Sequence, residues 1–426
     1  MNINKRFDII VYKNVVIKKG VIIMRKILRG AKIIDCISLG PLEGYELIIN
    51  EDSIFSINKK REEELPGDEV IDLSGKTILP GLINMHVHLT ADDEKHLMPD
   101  ILSKSDEELL LQAVRASNLS LKSGVTTLRD CGSRNNIVHY LRNAINQGKF
   151  NGPRIISSGM AITITGGSGY FFGIEADGAD EIRKAVRLLI KDGADFIKMM
   201  LTGAECTPNT DKKASSYTDQ EVYAAVDEAH RHGKKVAAHA HGTNGIKQAA
   251  KIGVDTIEHS SFLTEKGMKA DKDVLELIKN MGIAIIPTIS GNIRLVYEGP
   301  FTIQSFDKSV KGPLLDHFHE RFNLFRDVYR SGVTILPGND AGVDGTPHND
   351  FVSDLEMMTE LGMEAKEVIK NATCKAANVL GLGNVIGTIE VGKKADLLVV
   401  EGDPLQDIQV LRNPYLVMAG GERVIF

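Results

Sequence analysis

Apolar residues along the chain follow two rhythms. Between about residues 77 and 340, short runs rich in β-branched residues alternate with longer stretches whose apolar positions recur every three or four residues. The short runs predict buried strands and the longer stretches amphipathic helices. Strands are predicted at 77–88, 124–130, 154–159, 195–200, 235–240, 255–260, 283–289 and 333–339. Helices are predicted at 106–122, 179–191, 218–230 and 314–330, the third opening on a capping box, Thr218-Asp219-Gln220-Glu221. Eight strand-then-helix units without a second sheet pattern predict an α/β chain folded as a (β/α)8 TIM barrel. A doubly wound open sheet is the competing arrangement, but no glycine-rich dinucleotide loop follows the first strand.

Both ends of the chain read differently. From about Ile22 to Asp72, short β-branched runs are broken by turn residues, as in Tyr45-Glu46-Leu47-Ile48-Ile49 and Ser53-Ile54-Phe55-Ser56-Ile57. Residues 387–400 read as two short strands around a Gly-Lys-Lys turn, and residues 416–426 as a hairpin around Gly420-Gly421. Neither end has enough apolar residues for a core of its own. They are expected to fold together as a small discontinuous β-sandwich, residues 1–80 with 385–426, flanking a barrel at 81–384. Met24-Arg25-Lys26 could be the true start, with 1–23 an upstream extension.

Composition narrows the function classes. The 426 residues are 42% hydrophobic and 25% charged, with a formal net charge of -6 and no basic stripe, so a nucleic-acid partner has no electrostatic support. Four cysteines without a C-x-x-C pair suggest thiols in a reducing, cytoplasmic compartment. No apolar run is long enough for a membrane span. A symmetric homo-oligomer is expected of a chain of this type.

The chemistry gathers at predicted strand ends, which in a barrel face the functional site. His86 and His88 close the first strand and point to one side, because side chains alternate with period two. Lys198 lies on the fourth strand, His239 on the fifth, His259 on the sixth and Asp340 at the end of the eighth. One histidine at a strand end is explained as well by a satisfied core residue as by a ligand. A constellation from five strand ends points to a metal centre. Lys198, among Phe196, Ile197, Met199 and Met200, has three readings: a salt-bridged structural lysine, a Schiff-base lysine, or a carbamate formed with CO2. His241 faces the side of His239. It either replaces His239 as a ligand or contacts substrate further out, and the second is preferred because the strand is predicted to end near His239. Loops at 162–178, 201–217 and 290–312 would lie over the mouth, bringing Tyr170 and Tyr217 as substrate contacts. Arg129-Asp130 reads as a structural ion pair, and His317 and His319 as surface residues of a helix.

The order His-x-His, Lys, His, His, Asp on strands one, four, five, six and eight resembles the amidohydrolase superfamily. The motifs that carry it are Leu79-Pro80-Gly81-Leu82-Ile83-Asn84-Met85-His86-Val87-His88, Phe196-Ile197-Lys198, Ala238-His239-Ala240-His241-Gly242, Ile257-Glu258-His259 and Gly338-Asn339-Asp340-Ala341-Gly342. Asn84 departs from the pattern, standing where relatives usually carry Asp. The resemblance implies two divalent cations per chain, with zinc the best match to these donors. It places His86, His88 and Asp340 on one metal and His239 and His259 on the other. It makes Lys198 an N6-carboxylysine, formed from CO2 or bicarbonate, that joins them together with a bridging hydroxide. Charge agrees, since four neutral imidazoles supply none of the negative charge two dications need. Asp340 would then shuttle the proton from hydroxide to the leaving nitrogen.

Within the superfamily the chain looks most like metal-dependent dipeptidases and carboxypeptidases, prolidase-like and of the Xaa-Arg/Lys type. This implies hydrolysis of the amide before a C-terminal amino acid in dipeptides or N-acyl amino acids, with Xaa-Arg/Lys and Xaa-Pro as the candidate substrates. Glu205, Asp211 or Asp344 could favour a basic side chain. The alternative is a cyclic amidohydrolase of the imidazolonepropionase type, although those relatives and the deaminases tend to lack the strand-four lysine. A metal-free scaffold should be missing ligands, and here every position is filled.

Overall fold

The computed structural model describes residues 9–12, 15–18, 21–22 and 25–425, apart from 39, 60 and 62. Its contacts divide the chain into two compact units, one running from the start to Leu82 and again from Thr373 onward, the other Ile83–Ala372.

In the second unit parallel strands alternate with helices. Leu82–Val87, Val125–Asp130 and Arg154–Ser157 form one sheet in that order. A larger sheet runs Gly173–Glu175, Ala161–Thr163, Ile197–Met200, Val236–Gly242 and Thr256–Thr264, and the last of these also pairs in parallel with Ala284–Ile286. The strands Leu82–Val87, Val125–Asp130 and Ile197–Met200 are buried at every residue. That is why they read as continuous apolar runs rather than alternating ones.

The ladders do not close into a ring among the described residues. Ser157 O accepts from Asp195 N at 2.9 Å, a backbone hydrogen bond beside the gap between the two sheets. The predicted eighth strand is an irregular segment bridged at Ile335 to Ile285 and at Ala341 to Val87. Proline explains this, since Pro287 and Pro337 have no N–H to donate to a ladder. The segment still bonds on both sides: Leu336 N donates to Ile285 O at 2.9 Å, and Asp340 N to His86 O at 3.0 Å. The helices Asp106–Lys122 and Asp219–Arg231 both start on complete capping boxes, Ser105 with Glu108 and Thr218 with Glu221. No helix among the described residues is long and apolar enough to cross a membrane.

The first unit holds two larger sheets. One orders Glu422–Arg423, Pro414–Ala419, Leu397–Glu401, Lys76–Pro80 and Lys32–Ile33; the other orders Ser53–Asn58, Glu46–Asn50, Arg25–Arg29 and Glu69–Asp72. Leu79 pairs with Leu398, so the two ends of the chain share one ladder. Leu28, Leu47 and Ile54 of one sheet pack in one buried cluster with Ile78, Val399 and Met418 of the other. The predicted strand at 387–391 is absent; its backbone turns instead, with Gly387 and Gly392 in the left-handed region. The Gly420-Gly421 turn joins its two strands with both glycines left-handed. Ile9–Tyr12, Val15–Lys18 and Val21–Ile22 form a further small antiparallel sheet.

Candidate metal centre

His86 and His88 lie on one side of their strand, ring centroids 5.4 Å apart. The partner of each ring decides which nitrogen stays available. His88 Nδ1 lies 3.1 Å from Gly132 O, and a carbonyl can only accept, so Nδ1 carries a proton and, in the neutral ring, Nε2 the lone pair. His86 Nδ1 donates to the Glu258 carboxylate at 2.7 Å. Its Nε2 has no hydrogen-bond partner and stands 3.2 Å from Asp340 Oδ1, which also has none. His88 Nε2 lies 3.4 Å from the same oxygen.

A second imidazole group faces this one. His239 Nε2 donates to Gly203 O at 3.2 Å, leaving Nδ1 as its lone-pair atom. His259 Nδ1 meets Thr288 Oγ1 at 3.0 Å, leaving Nε2. The rings of His239 and His259 are 4.5 Å apart, and those of His86 and His259 5.1 Å. His241 stacks on His259 at 4.7 Å and bonds Ser261 Oγ through Nδ1. In each of the groups His86/His88/Asp340 and His239/His241/His259, the ligand atoms lie within 4.8 Å of one another, close enough to hold a metal ion.

Adjacent residues on a strand should point oppositely, yet Glu258 and His259 both reach this region. The backbone resolves this: His259 and Ser260 are left-handed, with φ of 65° and 48°, which turns the imidazole back toward its neighbours. Asp340 is left-handed too, φ 65°. Such conformations cost energy and concentrate at functional sites.

Lys198 sits among these groups, 1% exposed, on Ile197–Met200 in register with Ala237. Its Nζ has no hydrogen-bond partner, and among the described residues no carboxylate pairs with it. The salt-bridged reading of Lys198 therefore finds no support.

The donor set suits a divalent cation. Burial drives the His86 imidazole down to about 4 and those of His239 and His259 well below their ordinary value, so they are neutral donors near pH 7. Burial would raise the Asp340 carboxyl, but His86, His88 and Lys198 outweigh it and hold it low, as an anion. Unsatisfied buried atoms at His86 Nε2, Asp340 Oδ1 and Lys198 Nζ are what a bound cation and a modified lysine would occupy.

Arg129 does not pair with Asp130. Its guanidinium grips Glu258, with Nη2 2.7 Å from both carboxylate oxygens. Asp130 instead accepts from Leu89 N and Ser157 Oγ, and burial pushes its carboxyl up to about 6. The chain Arg129–Glu258–His86 fixes the ring that carries Nε2. Sequence reading missed Glu258 in this role, although Thr256 and Glu258, spaced by two on a buried strand opposite a buried arginine, were its signal. Cys131 also lies near His86 and Glu258, but burial pushes its thiol up to about 12, which disfavours the thiolate a metal needs. Asn84 lies behind the ligands: its Nδ2 donates to Asn339 Oδ1 at 2.7 Å and its Oδ1 accepts from His86 N at 3.2 Å.

These side chains open into a cavity of about 660 Å³. All three predicted mouth loops have a bearing on it, through Phe172, through Ala204, Glu205 and Lys212, and through Gly291, Asn292 and Leu295. The strand expected to end at His239 runs on to Gly242, with an irregularity after Ala240, and this carries His241 to the wall. Tyr170 and Tyr217 are not among the lining residues. Tyr217 is buried with its hydroxyl donating to Ala176 O at 3.2 Å, and Tyr170 reaches Met98. His317, read as a surface residue, has its exposed side on the cavity together with Arg321.

The chain as a whole is similar to solved structures and curated relatives. A Xaa-Pro dipeptidase with methionine bound in its active site is 32% identical, with a TM-score of 0.81 over 94% of this chain and 99% of that one. A prolidase complexed with N-methylphosphonate-L-proline is 26% identical, with a TM-score of 0.81 over the same shares. Ochratoxinase of Aspergillus niger is 29% identical over 410 residues, 88% of this chain and 81% of its own. The family model described as Amidohydrolase family matches residues 77–424, from the strand before His86 almost to the end, and the chain therefore belongs to the amidohydrolase family of hydrolases.

Proposed function

We propose that this protein is a two-metal amidohydrolase that cleaves the amide bond before a C-terminal amino acid in dipeptides or N-acyl amino acids. One observation carries the reading: two clusters of candidate ligands, His86, His88 and Asp340 in one and His239 and His259 in the other, converge around a buried lysine whose amine has no partner. The prolidase-like neighbours support the substrate class. The two sheet segments around the site read as arcs of one (β/α)8 barrel, and the two sheets of the first unit as a β-sandwich.

His86, His88 and Asp340 would hold one cation and His239 and His259 the other, with Lys198 as a carbamate between them. His241 stands beside the second group as a substrate contact. When bound, two such cations, zinc by donor type, lower the pKa of water and polarise the scissile carbonyl. The residues do the rest. The Asp340 carboxylate, held low by its imidazole neighbours, accepts the proton of the attacking water at an oxygen and passes it to the leaving nitrogen. Glu258 holds the His86 tautomer, and Gly132 O holds that of His88.

The acids that could have favoured a basic side chain are engaged. Glu205 pairs with Lys212, and Asp344 with His96 at 2.7 Å. Asp211 accepts from Lys213 N and does not line the cavity. Phe172, Met200, Leu263, Leu314 and Phe318 on the walls suit an apolar residue, proline included, better than Arg or Lys.

The test is turnover of a panel of dipeptides and N-acyl amino acids with zinc and bicarbonate present, together with a metal count. Wild type should hydrolyse part of the panel and hold about two metals per chain. Lys198→Ala should lose most of the metal and nearly all turnover. A variant that kept both would overturn the bridging role.

A further inference from the structure

Arg321, on the helix Pro313–Arg330, lines the same cavity as Lys198, His239, His259 and Asp340. Its Nη1 donates to Gly291 O at 3.0 Å and its Nη2 donates to Thr288 O. Both acceptors are neutral. Among the described residues no carboxylate forms an ion pair with this guanidinium, whereas Lys212, on the same wall, is matched by Glu205. A guanidinium whose hydrogen-bond acceptors are carbonyls and which has no carboxylate in contact is costly to desolvate, and that cost is recovered when an anion arrives.

We propose that Arg321 is the receptor for the free α-carboxylate of the substrate. The proposal rests on the reading above, in which the scissile amide belongs to a C-terminal amino acid. In such a substrate the carboxylate carbon is three bonds from the scissile carbonyl carbon, so its receptor must stand next to the metal ligands. Thr288 supplies that adjacency. Its carbonyl accepts from Arg321 while its hydroxyl meets His259 Nδ1 at 3.0 Å, so one residue ties the guanidinium to a ligand. Thr288 is itself left-handed, φ 45°, which lets both of its groups be used at once. His317 lies four residues before Arg321, on the same helix face and the same cavity wall, and adds an imidazole N–H. The planar fork of arginine matches a carboxylate with two parallel hydrogen bonds. Glu205 is held by Lys212 and Asp344 by His96, and the charges of Asp354, Glu205 and Asp340 act on the guanidinium only through space, none at ion-pair distance.

The test compares L-phenylalanine with L-phenylalaninamide as product ligands of the zinc-loaded enzyme, by calorimetric titration. These differ in charge at the position Arg321 would read, and neither contains an amide that precedes a C-terminal amino acid. Wild type should bind the carboxylate about 10–100-fold more tightly than the amide. Arg321→Met should bring that ratio close to one, and kcat/KM on N-acetyl-L-phenylalanine should fall mainly through KM. Arg321→Gln, which can still donate to Thr288 O or Gly291 O, should show the same loss and serves if the methionine variant does not fold. No preference in wild type, or a preference that survives both substitutions, overturns the proposal. If the preference is present and depends on Arg321 while the whole amide panel goes untouched, the receptor stands and the hydrolytic reading falls. Turnover with a preference indifferent to Arg321 does the reverse.

Discussion

At the scale of single residues, the site depends on which nitrogen each imidazole presents. His86 is the clearest case, because its Nδ1 is committed to a carboxylate that is itself gripped by Arg129. Glu258 is fully buried, and Arg129, His86 and Lys198 hold its carboxyl low against the opposing effect of burial. Glu258→Gln should therefore act in two ways. It leaves the buried Arg129 without its counter-charge, a loss of about 3–5 kcal/mol when one partner of a buried pair is removed. It also frees the His86 ring, so metal affinity should fall about 10–100-fold. Denaturant unfolding and competition with a metal chelator measure the two separately, and unchanged metal affinity would show that Glu258 does not orient His86. The ligands themselves were legible to different degrees. His86 and His88 could be read as a pair because strand periodicity alone puts them on one side. That Glu258 and His259 both serve the site could not, because adjacent strand residues diverge unless the backbone turns left-handed, and no local residue type signals that at His259. Sequence proximity pairs Arg129 with its neighbour Asp130, whereas its partner is 129 positions away.

At the scale of elements, helices were easier to read than strand ends. The capping box at Thr218 and the apolar period behind it locate the helix Asp219–Arg231 within a residue. At the eighth position the two signals conflict: Val333 to Leu336 has the apolar run of a strand, while Pro337 removes the donor a ladder would need. One contact between helices gives a test at this scale. Glu228, on Asp219–Arg231, accepts from Arg187 of the helix Gly178–Lys191 at 2.7 Å and from Arg231 at 2.6 Å. The hydrogen bond from Arg187 and the nearby guanidinium charges lower its carboxyl from 4.5 to about 2, although burial works the other way. A carboxyl depressed in the folded state contributes stability that is complete above its unfolded value and lost as pH falls toward the folded one. Glu228→Gln should lower Tm by about 1–3 °C at pH 7, within the range of partly exposed pairs. The gap from wild type should narrow as pH drops below about 4.5. A gap that stays constant down to pH 3 would mean that packing, not charge, holds these helices.

Across the whole molecule, the candidate ligands come from strands far apart in sequence. His86 and Asp340 are joined by Asp340 N donating to His86 O at 3.0 Å, and their side chains would be joined again by a shared cation. A metal held this way binds the folded state alone, so it adds stability that grows with the ratio of free metal to its dissociation constant. Chelation should therefore lower Tm, by an amount that zinc restores. The loss should be local. Hydrogen exchange should quicken in Leu82–Val87, Ile197–Met200, Val236–Gly242 and Thr256–Thr264, which carry the ligands. It should stay unchanged in Arg25–Arg29, Glu46–Asn50 and Leu397–Glu401, whose core cluster contains no ligand. The same experiment separates the remaining readings of Lys198. A carbamate requires CO2, so zinc added in bicarbonate-depleted buffer should restore the Tm and slow the exchange only partly, and bicarbonate should complete both. Full recovery without bicarbonate would make Lys198 a plain amine in the working enzyme, and the negative charge needed by two cations would have to come from elsewhere in the cavity.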